Sequence, residues 1–181
     1  MQLSRIKTPA EWLALRRLYK SAFPKCEQKP LWLVWQVMQQ NKADVWVAKE
    51  GKTFVGLAIT MNGDDLILLD YLAVSEKKRG TGIGTKMLRC LQQIYQGKRF
   101  FLEIENVYEE SPEQEMRLRR KHFYLKNGMK EMKIMVNAFG AELEFLTYDC
   151  QVSFEDYFEL YCSCYGAFAA KNIVRLPYPA E

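Results

Sequence analysis

Between Leu66 and Glu105 the hydrophobic period changes twice, and this restricts the fold more than any other feature of the chain. Leu66 to Val74 is an apolar run broken only by Asp70. It gives way to a polar, glycine-rich loop from Ser75 to Gly84, after which Met87, Leu88, Leu91, Ile94 and Tyr95 recur at helical spacing. Gly97 ends that helix, and Arg99 to Glu105 alternates as the next strand. A strand, a helix and a second strand in this order predict a parallel pair joined by a crossover helix.

The flanking segments add antiparallel strands and helices. Gln2 to Ile6 reads as a short first strand, and Thr8-Pro9-Ala10-Glu11 as a capping box with Pro at the first helical position of a helix reaching about Ser21. After a loop from Phe23 to Pro30, Leu31 to Met38 is apolar nearly all round and predicts a buried helix. Asp44 to Lys49 and Thr53 to Met61 flank Glu50-Gly51-Lys52, and the turn Asn62-Gly63-Asp64-Asp65 leads into the Leu66 run, giving an antiparallel meander. Downstream, Ser111-Pro112-Glu113-Gln114 opens a helix that Gly128 stops. Strands near Lys130 to Ala138 and Ala141 to Cys150 precede a last helix from Ser153. The predicted class is α/β, a mixed, mostly antiparallel sheet flanked by helices. At 181 residues, one domain over 1–181 is expected.

Composition excludes several function classes. A net charge of +4, spread apart from Lys77, Lys78, Arg79 and from Arg117, Arg119, Arg120, Lys121, is weak for a nucleic-acid binder, so no nucleic-acid partner is expected. No apolar run is long enough to span a bilayer and the first residues do not form a signal peptide, so no membrane association and a cytoplasmic location are expected. The five cysteines include no C-x-x-C pair, which predicts reduced thiols and no metal site.

The loop Arg79-Gly80-Thr81-Gly82-Ile83-Gly84-Thr85 is the candidate for the chemistry; taken alone, it reads equally as an ordinary flexible connection. Where a strand turns into a helix, the first helical N–H groups lack partners, and glycines let consecutive N–H groups face one anion. A pyrophosphate fits this arrangement, with Lys77, Lys78 and Arg79 adding screened attraction. A nucleoside-triphosphate loop needs Lys followed by Ser or Thr after its last glycine, whereas Thr85 precedes Lys86 and Met87 follows. The dinucleotide spacing G-x-G-x-x-G is also absent, since Gly80, Gly82 and Gly84 alternate.

Leu72-Ala73-Val74 followed by Arg79-Gly80-Thr81-Gly82-Ile83-Gly84 resembles the acetyl-CoA signature of the GNAT superfamily of N-acetyltransferases, R/Q-x-x-G-x-G/A after a strand. Phe123-Tyr124-Leu125-Lys126-Asn127-Gly128-Met129 resembles its second signature, Tyr-x-Lys-x-Gly at a helix end. The two stand in the family's order, and the resemblance covers about Thr53 to Val136. It implies a GNAT-like fold in which the Leu66 and Arg99 strands splay below the loop to form an acyl-CoA cleft. Acetyl-CoA is then the co-substrate, with Leu72, Ala73, Val74, Arg79, Gly80, Thr81, Gly82, Ile83, Gly84 and Thr85 as its binding residues. The amide near Leu72 or Ala73 would donate to the thioester carbonyl as charge develops.

Attack of an amine on a thioester needs a neutral nitrogen and a proton for the leaving thiolate. Tyr124 is the candidate acid by its place in the second signature; without that motif it reads first as a core aromatic beside Phe123 and Leu125. Some family members carry a glutamate base on the strand before the loop, and Leu68 stands at that position. Glu103 and Glu105, at i and i+2 of the next strand, are the candidate proton acceptors; the alternative is an exposed face or an ion pair with the Arg117 cluster. Asp70 is a further acidic option. His122 reads as a surface residue on a helix. Phe154, Tyr157, Phe158, Tyr161, Tyr165 and Phe168 read as core packing, with an acceptor lid or a homodimer face as alternatives. The expected activity is acetyl transfer to a small-molecule amine, with a protein Lys or N-terminus, or acyl-CoA binding without catalysis, as competing readings.

Overall fold

The computed structural model describes residues 1–25, 27–109 and 111–179. In chain order the elements are β1 (Gln2–Arg5), α1 (Pro9–Ala22), α2 (Leu31–Gln39), β2 (Ala43–Glu50), β3 (Thr53–Asn62) and β4 (Leu66–Val74). A single 3-10 turn (Glu76–Lys78) precedes α3 (Ile83–Ile94), β5 (Arg99–Glu105), α4 (Gln114–Lys126), β6 (Lys130–Ala138) and β7 (Ala141–Tyr148). The chain ends in α5 (Phe154–Tyr165), α6 (Ala167–Asn172) and β8 (Ile173–Leu176). The strand order is β1-β2-β3-β4-β5-β7-β6-β8, a mostly antiparallel sheet in which β4 and β5 are the parallel pair.

The chain divides into two compact units, and β4 contributes to both: 1–62 with 69–96 form one, 63–68 with 97–181 the other. In the first unit, β1 pairs with β2 and β2 with β3, both antiparallel. Val45, Val47, Leu57, Ile59, Tyr71 and Ala73 pack with Leu15, Leu18, Tyr19 and Val34 of α1 and α2. The Thr8 capping box forms as its sequence dictates, with Glu11 accepting from the Thr8 N–H at 2.9 Å. Helix α2 differs from the expectation of burial all round. It buries Val34 and Val37 but leaves Trp32 67% and Trp35 52% exposed, because a helix this short lays one side only on the unit's core.

Helix α3 is fixed at both ends. Near its start, Met87 lies over Gly56 of β3, where a Cβ would stand 2.7 Å from Met87 Sδ and 2.9 Å from the Ala73 carbonyl oxygen, so only glycine admits this approach. At its end, the Tyr95 hydroxyl donates to Asp44 Oδ2 at 2.8 Å, accepts from Trp46 Nε1 at 3.1 Å and lies 2.7 Å from Thr60 Oγ1.

In the second unit β7 pairs antiparallel with β5 and β6, and β6 with β8. Phe101, Phe145 and Tyr157 pack edge to face or tilted, and core packing holds for Tyr157 and Tyr161 of the aromatic stripe, whereas Phe154, Phe158 and Tyr165 are half-buried and Phe168, on α6, is 64% exposed. Three boundaries differ from the sequence reading. Strand β7 stops at Tyr148 because Asp149 adopts φ +52°, turning the chain before Cys150. Helix α4 starts at Gln114, with Ser111 Oγ accepting from the Glu113 N–H ahead of it. The last helix breaks at Gly166, φ +61°, and the edge strand β8 that follows was not foreseen.

Candidate functional site

The loop after β4 is held by its own backbone. The Ser75 N–H donates to the Val55 carbonyl at 2.9 Å, and Thr81 Oγ1 donates to the Lys78 carbonyl at 2.8 Å. Lys78 Nζ pairs with Glu50 Oε2 at 2.7 Å and holds that exposed carboxyl below its usual range. Gly80 and Gly82 take φ +76° and +81°, the left-handed region that side chains resist. Gly82 is the N-cap of α3, with no side chain capping the helix and no acidic residue in its first turn.

The first hydrogen bond of α3 runs from the Lys86 N–H to the Gly82 carbonyl at 3.1 Å. The N–H groups of Ile83, Gly84 and Thr85 have no acceptor among the described residues. With the positive end of the helix dipole behind them, they form a seat for an anion. Arg79 is exposed beside it, its Nε 3.4 Å from the Val74 carbonyl oxygen. Leu72, Ala73 and Val74 lead directly into this loop.

In the second unit Tyr124 sits in the last turn of α4 and is 7% exposed. Its carbonyl takes the N–H groups of Asn127 and Met129, and Gly128 at φ +88° closes the helix, so the backbone is pinned. Its ring meets Phe123 edge to face, and its hydroxyl makes no hydrogen bond among the described residues. Buried tyrosines usually satisfy that hydroxyl. Burial pushes the phenol up to about 12, with Arg120 pulling it down and Glu105 pushing it up.

The two carboxylates of β5 go to different helices. Glu105 is ion-paired with Arg120 of α4. Glu103 accepts the hydroxyls of Tyr157 and Tyr161 of α5, each at 2.7 Å. The structure therefore brings Glu105, Arg120 and Tyr124 within electrostatic reach of one another and commits Glu103 to the α5 tyrosines. Elsewhere in the basic cluster Arg119 pairs with Glu115 and Lys121 with Glu131 and Glu144, whereas Arg117 donates to the Asn106 carbonyl at 3.0 Å. His122 is exposed.

One arrangement in the first unit was not foreseen. Lys29, in the loop between α1 and α2, places its Nζ 2.7 Å from Asp70 Oδ1, and the Asp70 side chain is 3% exposed. A lone Asp in an apolar strand was the visible signal; nothing in the sequence pointed to Lys29. Cys90, Cys150, Cys162 and Cys164 are not in disulfides, while Cys26 lies outside the described residues. Among the described residues no group of His, Cys, Asp and Glu has metal-site geometry, and no helix is long and apolar enough to cross a membrane.

Comparison with known proteins identifies the family. Residues 41–131 match the family described as Acetyltransferase (GNAT) domain, half of the chain. YjbC of Bacillus subtilis (strain 168), which carries a provisional acetyltransferase name, is 33% identical over 91 residues; the match covers 49% of this chain and 45% of YjbC, so the chain matches about half the length of that relative. Among solved structures, a provisionally named GNAT-family acetyltransferase from Bacteroides thetaiotaomicron superposes with a TM-score of 0.74 at 17% identity, covering 92% of this chain and 99% of that one. An aminoglycoside 6'-N-acetyltransferase complexed with coenzyme A gives 0.64 at 17% identity, over 84% and 100% of the two chains. With the glycine loop and the Tyr124 helix end both inside the matched residues, the chain belongs to the GNAT family of acetyltransferases.

Proposed function

We propose that this protein transfers an acetyl group from acetyl-CoA to a primary amine by direct attack, and that the acceptor is a small molecule. The observation that carries the reading is the row of unpartnered N–H groups at Ile83, Gly84 and Thr85 behind two left-handed glycines. That seat suits the pyrophosphate of CoA, with Arg79, Gly80, Thr81 and Gly82 around it. Leu72, Ala73 and Val74 then offer backbone to the pantetheine arm, and the amide near Leu72 or Ala73 stabilises the developing oxyanion.

Tyr124 is assigned as the proton donor to the departing sulfur. A phenol at about 12 keeps its proton at neutral pH, so it cannot serve as the base. Glu105, and behind it Glu103, are the carboxylates assigned to draw the cationic amine and take its proton through water; the charge of Glu105 on Tyr124 favours Glu105. The atoms balance: the N–C bond forms as C–S breaks, the amine's proton leaves to a carboxylate or water, and the thiolate gains one from Tyr124. The likeness to an aminoglycoside acetyltransferase supports the small-molecule acceptor.

The test is a panel of amines assayed for CoA release, with acetyl-CoA binding measured separately. Acetyl-CoA binding without release for any amine would reduce the protein to an acyl-CoA binding module; release only with protein acceptors would move the acceptor class.

A further inference from the structure

The Asp70 carboxylate is buried and only half satisfied. Oδ1 takes the Lys29 ammonium, whereas Oδ2 has no hydrogen-bond partner among the described residues. Leaving a buried acceptor unmade costs about 1–3 kcal/mol, more for a charged group, so this ion pair is incomplete as a structural strut.

Its surroundings are those of an ammonium site. The Lys29 Nζ lies 5.7 Å from the centre of the Tyr71 ring and 3.9 Å from Met61 Sδ. Tyr71 is backed by Tyr19 and Phe23, with ring centroids 4.9 and 4.8 Å away. A carboxylate at the tip with an aromatic face and a thioether alongside suits a primary ammonium on an unbranched alkyl chain. Lys29 itself presents that group, and its side chain is 16% exposed.

The loop does not depend on this side chain for its position. Tyr71 donates its hydroxyl to the Glu27 carbonyl at 2.6 Å and accepts the Lys29 backbone N–H at 3.2 Å, while Tyr19 donates to the Lys29 carbonyl at 3.1 Å. These three bonds anchor the backbone through groups other than the lysine ammonium. Along β4, Asp70 is two residues from Leu72, about 6.6 Å at the usual rise of a strand. An acceptor nitrogen seated on Asp70 therefore lies one short reach from the backbone assigned to the thioester.

We propose that Asp70 is the acceptor-recognition residue, that Lys29 holds its place in the absence of acceptor, and that the acceptor class is an unbranched primary alkylamine. This rests on the acetyl-transfer reading above. The acceptor's ammonium displaces that of Lys29 and, with the same three N–H donors but no tether to the loop backbone, reaches Oδ2 as well as Oδ1; its proton then passes to a carboxylate or water before attack.

The test uses the whole chain, with n-butylamine as probe and tert-butylamine as the branched control. Asp70→Asn should raise KM for n-butylamine roughly tenfold or more, the worth of a charged hydrogen bond, with acetyl-CoA affinity unchanged. Lys29→Met should lower that KM or leave it, since it removes a competitor. An unchanged KM in Asp70→Asn, or equal losses in both variants, would overturn the proposal. A second readout does not require turnover. Lys29→Met leaves Asp70 unpaired and should melt at a lower temperature, and n-butylammonium chloride should restore several degrees that an equal concentration of sodium chloride or tert-butylammonium chloride does not. Rescue without turnover would keep the site and sink the transfer reading; no selective rescue would sink the site.

Discussion

The Lys86 N–H donates to the Gly82 carbonyl at 3.1 Å, and Gly82 holds φ +81°, so this one glycine both starts α3 and leaves the next three N–H groups pointing outward. A Cβ at Gly82 meets nothing within 4 Å, so a side chain there acts through the backbone and not through a clash. Val, which is β-branched, resists the left-handed region by at least about 1–2 kcal/mol. Gly82→Val should therefore keep the fold while weakening acetyl-CoA binding about tenfold or more, read by calorimetry. Arg79→Ala should lose less, and its loss should shrink with added salt because Arg79 is exposed. Unchanged affinity for Gly82→Val in a folded protein would remove the pyrophosphate from this loop.

Acid stability should depend on Arg99 and Asp156. Arg99 donates to both oxygens of Asp156, at 2.8 and 3.0 Å, and to both oxygens of Asp65, at 2.8 and 3.1 Å. The Arg99 guanidinium, helped by the Ser153 capping box, holds the Asp156 carboxyl down at about 2, against an ordinary value of about 3.9. A carboxyl depressed on folding binds fewer protons in the folded state, so its contribution is full above about pH 4 and is lost as pH falls toward 2. Asp156→Ala should cost roughly 1–2 kcal/mol at pH 7. Denaturant melts from pH 7 to 2 should show the two proteins converging; a gap constant across that range would contradict the assignment.

Tyr124→Phe separates chemistry from binding. Because the hydroxyl makes no hydrogen bond among the described residues, its loss removes no protein contact and the fold should be unaffected. If the phenol protonates the sulfur, turnover should fall about a hundredfold while acetyl-CoA affinity stays within about twofold. With the phenol at about 12, the wild-type rate should rise with pH as the amine loses its proton and show no decline from Tyr124 below about pH 11. A loss well under tenfold in Tyr124→Phe would mean that the thiolate leaves unprotonated and that Tyr124 packs or positions.

What was legible in the sequence follows from how local the signal is. The β4–α3–β5 order, the Thr8 cap and the start of the last helix at Ser153 are written in residues close together in the chain, and they stand as read. Strand β8 carries too few residues for a period and owes its form to pairing with β6, a partner about forty residues away, so it was missed. The exposure of Trp32 and Trp35 depends on how much surface α2 has to cover, which composition cannot tell. At the site, the loop glycines declare themselves by spacing. Alternation on β5 placed Glu103 and Glu105 on one face but could not say that one would take two tyrosine hydroxyls and the other an arginine. The Lys29–Asp70 pair joins positions 41 residues apart, and only the fold brings them together.

Direct transfer from donor to amine is open to single-turnover chemistry with acetyl-labelled acetyl-CoA. Enzyme in excess over donor is mixed with a saturating amine from the panel, quenched at successive times, and the label is followed among donor, protein and amine. For direct attack, label should leave acetyl-CoA and enter the amine in one phase, one acetyl per CoA released, with no acetylated protein that later yields product. Label that passes first into the protein and then chases into the amine, or CoA released while the amine stays unlabelled, would contradict it.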